Sequence, residues 1–354
     1  MAKPTSAYWD ARAMERMAIV DASSERVMRT VQRAYARVID DLERDAKKMF
    51  QTFRRLNYLS EEEARAYLSM PASAQEQQEL IRRFARDWAV GESVDKLTQA
   101  NAPAYAARIS RVEALKRDCQ IRLQEAAELQ LEACDGALAD VARSAHFKTT
   151  FDIQKGLGLF WDTAGVNERA VQEILARNWS GAHYSTRIWR DCDALADKLS
   201  QGLVEAMVQG KTSKETFEQI AAACRKGKKE GADVAQRLIQ TEACYVANQA
   251  EFRAYAECGF DEYEFVATLD TDTSEICREL DGQHFPVREQ KPGVNAPPMH
   301  PWCRSTTRPR VKDRDLSRVL RWSRGADGNV RYIPANMTYR EWEKLQNDGN
   351  RQDG

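Results

Sequence analysis

The feature that most constrains this chain is a helical stripe running from Tyr8 to about Leu59. Val27, Val31, Ala34, Val38, Leu42, Met49 and Phe53 recur at threes and fours between Arg, Glu and Asp residues. That is the period of a helix with one apolar face, and such a face needs a partner to bury it. A second long helix is expected after Pro103, where Tyr105, Ile109, Val112, Cys119, Leu123, Ala126, Ala133 and Ala137 keep a nearly heptad spacing. Shorter helices are expected at about 60–70, capped by Ser60, and at about 74–90. The pattern predicts an antiparallel bundle or hairpin, or an extended arm that binds a partner.

The texture then changes twice. "FKTTFDIQKGLGLFWDTAG", Phe147 to Gly165, has glycines and aromatics with no helical period and reads as a break. Helices resume at about 167–178, 183–209, 213–226 and 230–257. After Gly259, "DEYEFVATLD" sets Tyr263, Phe265 and Ala267 in alternation with Glu264, Val266 and Thr268, which predicts a strand. The Pro- and Gly-rich stretch to about Pro334 suits compact irregular structure with short strands, and Thr338 caps a last helix. The fold class is therefore mostly α: a long helical N-terminal half followed by a small α+β C-terminal module with short strands. The expected domains are 1–146 as the helical arm or bundle, 147–178 as a connection, 179–342 as the module, and 343–354 as a polar tail.

Bulk properties exclude several classes. No run of about 18 apolar residues exists, so a membrane span is not expected. The N-terminus lacks an apolar signal-peptide core and reads as a cytosolic start. A formal net charge of -1 predicts no nucleic-acid partner from bulk charge, so any DNA contact must come from a local patch. The eight cysteines stand singly, without a CxxC pair, and six fall in segments that read as helices, which suits reduced thiols packed as small hydrophobes.

Two quoted segments decide the rest. "QTEACYVANQAEFRAYAECGFDEYEFVATLDTDTSEICRELDGQHF" and "PGVNAPPMHPWCRSTTRP" together resemble the Mu F-like minor head protein family of tailed bacteriophages. The matching residues are Thr241 and Glu242 on a helix, Gly259 ending it, and the strand into Asp270. Thr273, Cys277, Leu280, Asp281 and Gly282 follow, then Pro298, His300, Pro301, Cys303 and Arg304. The chain departs from the family where Gln240 replaces an arginine, and where Ser274 and Ser305 occupy positions at which many members have cysteine. A four-cysteine metal knot is thus not expected. The resemblance implies a minor head component in the virion, in the head interior or at the portal vertex, synthesised in the host cytoplasm. Portal and capsid proteins are its implied partners, and head morphogenesis, DNA packaging or ejection its implied roles.

Read residue by residue, the module supports a structural clasp of Thr241, Glu242, Asp270, Cys277, Asp281, Gly282, His300, Cys303 and Arg304. Arg304 calls for a bidentate carboxylate, with Glu242, Asp270 and Asp281 as candidates. The expected clasp is an ion pair joining the helix of Thr241 and Glu242 to the loop of His300 and Arg304. Cys277, His300 and Cys303 are three soft ligands for zinc, with His284 or Asp281 as a conceivable fourth, whereas a structural site wants four convincing ligands. The expectation is accordingly no catalytic residue, no cofactor and no metal, the two thiols packing free, with a Cys277–Cys303 disulfide or zinc held by Cys277, His300 and Cys303 as the alternatives. A hydrolase or nuclease using His300 and Cys303 is a rival reading, although residues three apart on a proline-fixed loop rarely serve as nucleophile and base. The other rival is a DNA-binding ejection protein. It would use the local basic excess, with Arg310, Arg314, Arg318 and Arg321 as candidate contacts to double-stranded DNA.

Overall fold

The computed structural model describes residues 6–54, 68–71, 111–157, 167–209, 213–310, 320–324, 330–334, 337–339, 341–342 and 344. Six α-helices lie among them: α1 Ser6–Arg54, α2 Arg111–Leu157, α3 Glu168–Leu175, α4 Tyr184–Gln209, α5 Ser213–Glu257 and α6 Glu275–Leu280. A three-stranded antiparallel sheet of order β2-β1-β3 uses β1 Glu262–Val266, β2 His284–Pro286 and β3 Thr306–Pro309. A separate hairpin pairs β4 Leu320–Arg324 with β5 Val330–Pro334. The mostly α class with a small C-terminal α+β part holds. The helices expected at 60–70 and 74–90 fall almost wholly outside the described residues.

The chain divides into two compact units that cut across its order. One unit comprises Met28–Ala133 and Ser185–Ala235; the other comprises Met1–Val27, Cys134–Tyr184 and Gln236–Gly354. In the first unit, Val31, Ala34, Val38 and Leu42 are buried as their spacing predicts. Farther along α1 the buried positions become Ala46 and Phe50 in place of Met49. Tyr35 donates to Gln130 Oε1 at 3.0 Å, and Arg122 meets Asp45 at 2.7 Å. The expected break at 226–230 is corrected, because α5 runs unbroken through it. Gly231 does not end a helix. A Cβ there would stand 3.0 Å from Leu195 Cδ2 and 3.2 Å from Tyr35 Cδ1, so glycine permits close approach of packed side chains.

The second unit corrects another boundary. Residues 147–157 are the last turns of α2, although they show no apolar period. Their exposed and buried sides are chemically inverted: Phe147 and Phe151 are exposed, whereas His146, Thr149, Thr150, Asp152 and Ile153 are buried. Hydrophobic periodicity cannot find a helix that buries polar groups. The reason for this burial is an ion cluster. Arg16 on α1 donates to Glu251 on α5 at 2.8 Å and meets Asp152 on α2 at 3.4 Å, with all three side chains at most 2 % exposed. Tyr8 donates to the Asp152 carbonyl at 2.7 Å. Trp9, Ile153, Phe252, Tyr255 and Tyr263 build an apolar core in the same unit.

The C-terminal module is therefore not self-contained. The segment Tyr8–Val27, expected in a separate arm, supplies both apolar and ionic contacts to it. Burial lowers the Arg16 pKa, but Glu251, Tyr255 and Asp152 together raise it, so the guanidinium stays charged. Removing it would leave two buried carboxylates without their cation. Arg16→Met should lower the stability of this unit by about 3–5 kcal/mol. Urea unfolding of the full chain checks this, and an unchanged midpoint would contradict it.

Candidate functional site

The sheet positions the site. Tyr263 and Phe265 of β1 are buried, as the alternation predicts, and Phe265 pairs with Thr307 while Glu264 pairs with Arg308 and His284. Beyond β1 the chain turns back at Asp281 and Gly282. Gly282 has φ +77°, and its N–H donates to the Phe265 carbonyl at 2.9 Å. Asp281 is buried and accepts the Ala267 N–H at 2.9 Å, so it serves backbone rather than Arg304.

Arg304 instead grips Asp270 with its two terminal guanidinium nitrogens, one of them at 2.5 Å and the other at 3.0 Å. Asp270 is held ready for it. Its Oδ1 accepts from the Thr273 hydroxyl at 3.0 Å and the Asp272 N–H at 3.1 Å, and its carbonyl accepts from Tyr339. Thr268 donates to the Arg304 carbonyl at 2.7 Å, closing the two loops on each other. The helix carrying Thr241 and Glu242 joins this clasp differently from the expected ion pair. Thr241 Oγ1 accepts the Trp302 N–H at 3.2 Å, and Glu242 accepts from Trp179 Nε1 at 3.1 Å. Trp302 has φ +67°, the left-handed region that a bulky residue occupies only when its surroundings hold it there.

The turn at Trp302 brings the soft side chains together. The Cys303 N–H donates to the His300 carbonyl at 3.2 Å, so both side chains project from one turn. Cys277 on α6 lies with Sγ 3.8 Å from Cys303 Sγ and 3.4 Å from His300 Nε2. Ser274 Oγ is 2.7 Å from the same His300 nitrogen. Cys277, His300 and Cys303 form a group whose ligand atoms all lie within 4.8 Å of one another, close enough to hold a metal ion. All eight cysteines are free and buried. Hydrogen bonds from Cys244 and Cys277, then from backbone near Met299 and Ser305, outweigh burial and pull the Cys303 thiol down. The bond to Cys303 and burial push Cys277 and Cys244 well up.

Residues 197–308 match the family model described as Phage Mu protein F like protein. The chain carries a domain of that family. The matched segment contains the second half of α4, all of α5, the three-stranded sheet as far as Arg308, the clasp and the cysteine–histidine turn. No curated protein and no solved structure matches the chain. This Mu F-like match points to a phage head-related protein. No helix among the described residues is long and apolar enough to cross a membrane.

Sequence reasoning missed the groups that anchor the Mu F-like domain from outside its clasp. Arg308 on β3 is 4 % exposed and pairs with Asp10 at 2.6 Å and Glu264 at 2.6 Å. Burial raises the Glu264 pKa, but His284 and Arg308 more than reverse this and hold it below the usual carboxylate range. Arg308 could be read only as part of a basic run, because Asp10 lies 298 residues away. Arg310 pairs with Glu262 at 2.7 Å. Arg314 and Arg318 lie outside the described residues; Arg321 is in β4, where its backbone pairs with Ile333.

The two arginines make a quantitative contrast. Arg304 is 36 % exposed, so Arg304→Ala should cost about 1 kcal/mol after solvent screening. Arg308→Ala removes the guanidinium shared by buried Asp10 and half-buried Glu264 and should cost about 3–5 kcal/mol. Denaturant midpoints of the two variants in the full chain give the comparison; equal losses would contradict it.

Proposed function

We propose that this chain is a minor component of a tailed-phage head, seated at the portal vertex, where it serves head morphogenesis and the packaging or ejection of DNA. The observation that carries the reading is the family match over residues 197–308. Portal and capsid proteins are its partners in this account. The role is structural and the His300–Cys303 turn is assigned no catalysis. Cys303 is 1 % exposed and Cys277 1 % exposed, and both face each other and His300 inside the domain. The open groove of about 960 Å3 in the same unit is lined by Arg177, Phe252, Arg253, Phe260 and Glu262 among others, away from that turn.

A docking face is available on α2. Phe147 is 70 % exposed and Phe151 52 % exposed, one helical turn apart, so they share a side. Exposed aromatics of this size are enriched where proteins meet. DNA contact has a narrower basis than the basic run suggests, since Arg304, Arg308 and Arg310 are engaged with acids. Arg314, Arg318 and Arg321 are its remaining candidates, and their neutralisation should reduce both affinity and its salt dependence.

Cryo-EM and mass spectrometry of purified virions should find a few copies at the portal vertex. Phe147→Ala with Phe151→Ala should reduce incorporation while leaving the thermal unfolding of the purified chain unchanged. Absence from the virion, or abundance equal to the major capsid protein, would overturn the reading.

A further inference from the structure

We propose that Cys277, His300 and Cys303 form a binding site for one zinc-like divalent cation, with a fourth position left for water beside Ser274. Two of the three separations are those a metal would impose, and the third ligand pair lies within 4.8 Å. Zinc–sulfur bonds of about 2.3 Å at a tetrahedral angle set two sulfurs about 3.8 Å apart, and a zinc–nitrogen bond of about 2.0 Å sets sulfur and nitrogen about 3.5 Å apart. The observed distances are 3.8 Å between Cys277 and Cys303 sulfurs and 3.4 Å from Cys277 Sγ to His300 Nε2.

Packing of two thiols explains the first distance equally well, but it does not explain the histidine. His300 Nδ1 lies 2.7 Å from the Pro301 carbonyl, which can only accept, so Nδ1 carries the proton. Nε2 is then a lone-pair acceptor, met by the Ser274 hydroxyl at 2.7 Å and facing Cys277 Sγ at 3.4 Å, where a metal ion would take the hydroxyl's place. A backbone carbonyl that fixes the tautomer and turns the free nitrogen toward a ligand cluster is the usual support of a metal-bound imidazole. The turn itself supplies His and Cys three residues apart, and Trp302 holds a strained left-handed backbone between them. Two buried thiols and a neutral imidazole favour a borderline-soft cation over magnesium or calcium. Binding releases whatever thiol protons the two cysteines still carry to solvent, and the dication with two thiolates makes a site of zero net charge.

The site is tested on the full-length, tag-free chain, stripped with chelator under reducing conditions and titrated with cobalt(II), then zinc(II). One cobalt per chain should bind with a thiolate-to-metal charge-transfer absorption and with release of protons, and one equivalent of zinc should displace it. Cys277→Ser and Cys303→Ser should each abolish that absorption. Cys244→Ser, which removes a neighbouring thiol outside the ligand set, should retain it. Where a ligand variant fails to fold, absorption and proton release of the unaltered chain decide alone. A folded, thiol-reduced chain that binds no cobalt overturns the proposal. So does an absorption that survives both ligand substitutions, or a Cys277–Cys303 disulfide that persists in reductant.

Discussion

Two buried arginines hold the second unit together, and the remaining features of that unit depend on where they sit. Arg16 ties α1 to α5 and α2 through Glu251 and Asp152; Arg308 ties β3 to α1 and β1 through Asp10 and Glu264. Such clusters contribute little net stability compared with an apolar core, but each member is expensive to leave alone. They therefore act mainly as a constraint on register. A shift of α1 by one residue would turn Asp10 and Arg16 away from their partners, whereas apolar contacts could slide and re-form. Burial raises Asp152 and Glu251 despite the attraction of Arg16, consistent with two carboxylates sharing one guanidinium.

This ionic frame explains how the small sheet can carry a demanding loop. Arg308 is fixed by Asp10 four residues after Arg304, and Arg304 in turn grips Asp270 at the far end of the connection from β1. Between these anchors the chain has little freedom. Trp302 is forced to positive φ, His300 and Cys303 are folded onto one turn, and α6 is delivered against them with Cys277 inward. A small irregular module with few apolar residues thereby acquires a precise cluster of soft side chains. The Mu F-like match begins within α4 and ends at Arg308, so it contains the loop but not the residues of α1 that steady it.

What was legible in the sequence follows from the physics of each signal. β1 was visible because Tyr263 and Phe265 alternate with half-exposed glutamates, and the Asp281–Gly282 turn because glycine takes a positive φ there. The need for a carboxylate opposite Arg304 was legible, but the choice among Glu242, Asp270 and Asp281 was not, since it depends on loop geometry. The last turns of α2 were hidden because Thr149, Thr150 and Asp152 are buried while Phe147 and Phe151 are exposed. Thr338 was readable as a cap, and its N–H and hydroxyl both donate to the Glu341 carboxylate, the glutamate half of a capping box. Partnership between Asp10 and Arg308 leaves no local trace at all, because neither position is periodic, apolar or part of a motif.

The central claim is that α1 and the Mu F-like domain fold as one unit through buried charge. A double-mutant cycle on the full chain, using Asp10→Asn and Arg308→Met, tests it most directly. Residues that touch and share a network couple by about 0.5–3 kcal/mol, whereas independent sites add within about 0.3–0.5 kcal/mol. The account predicts strong coupling, with the double variant more stable than the sum of the single losses requires. Simple additivity would show that the helix and the domain do not depend on each other, and would contradict it.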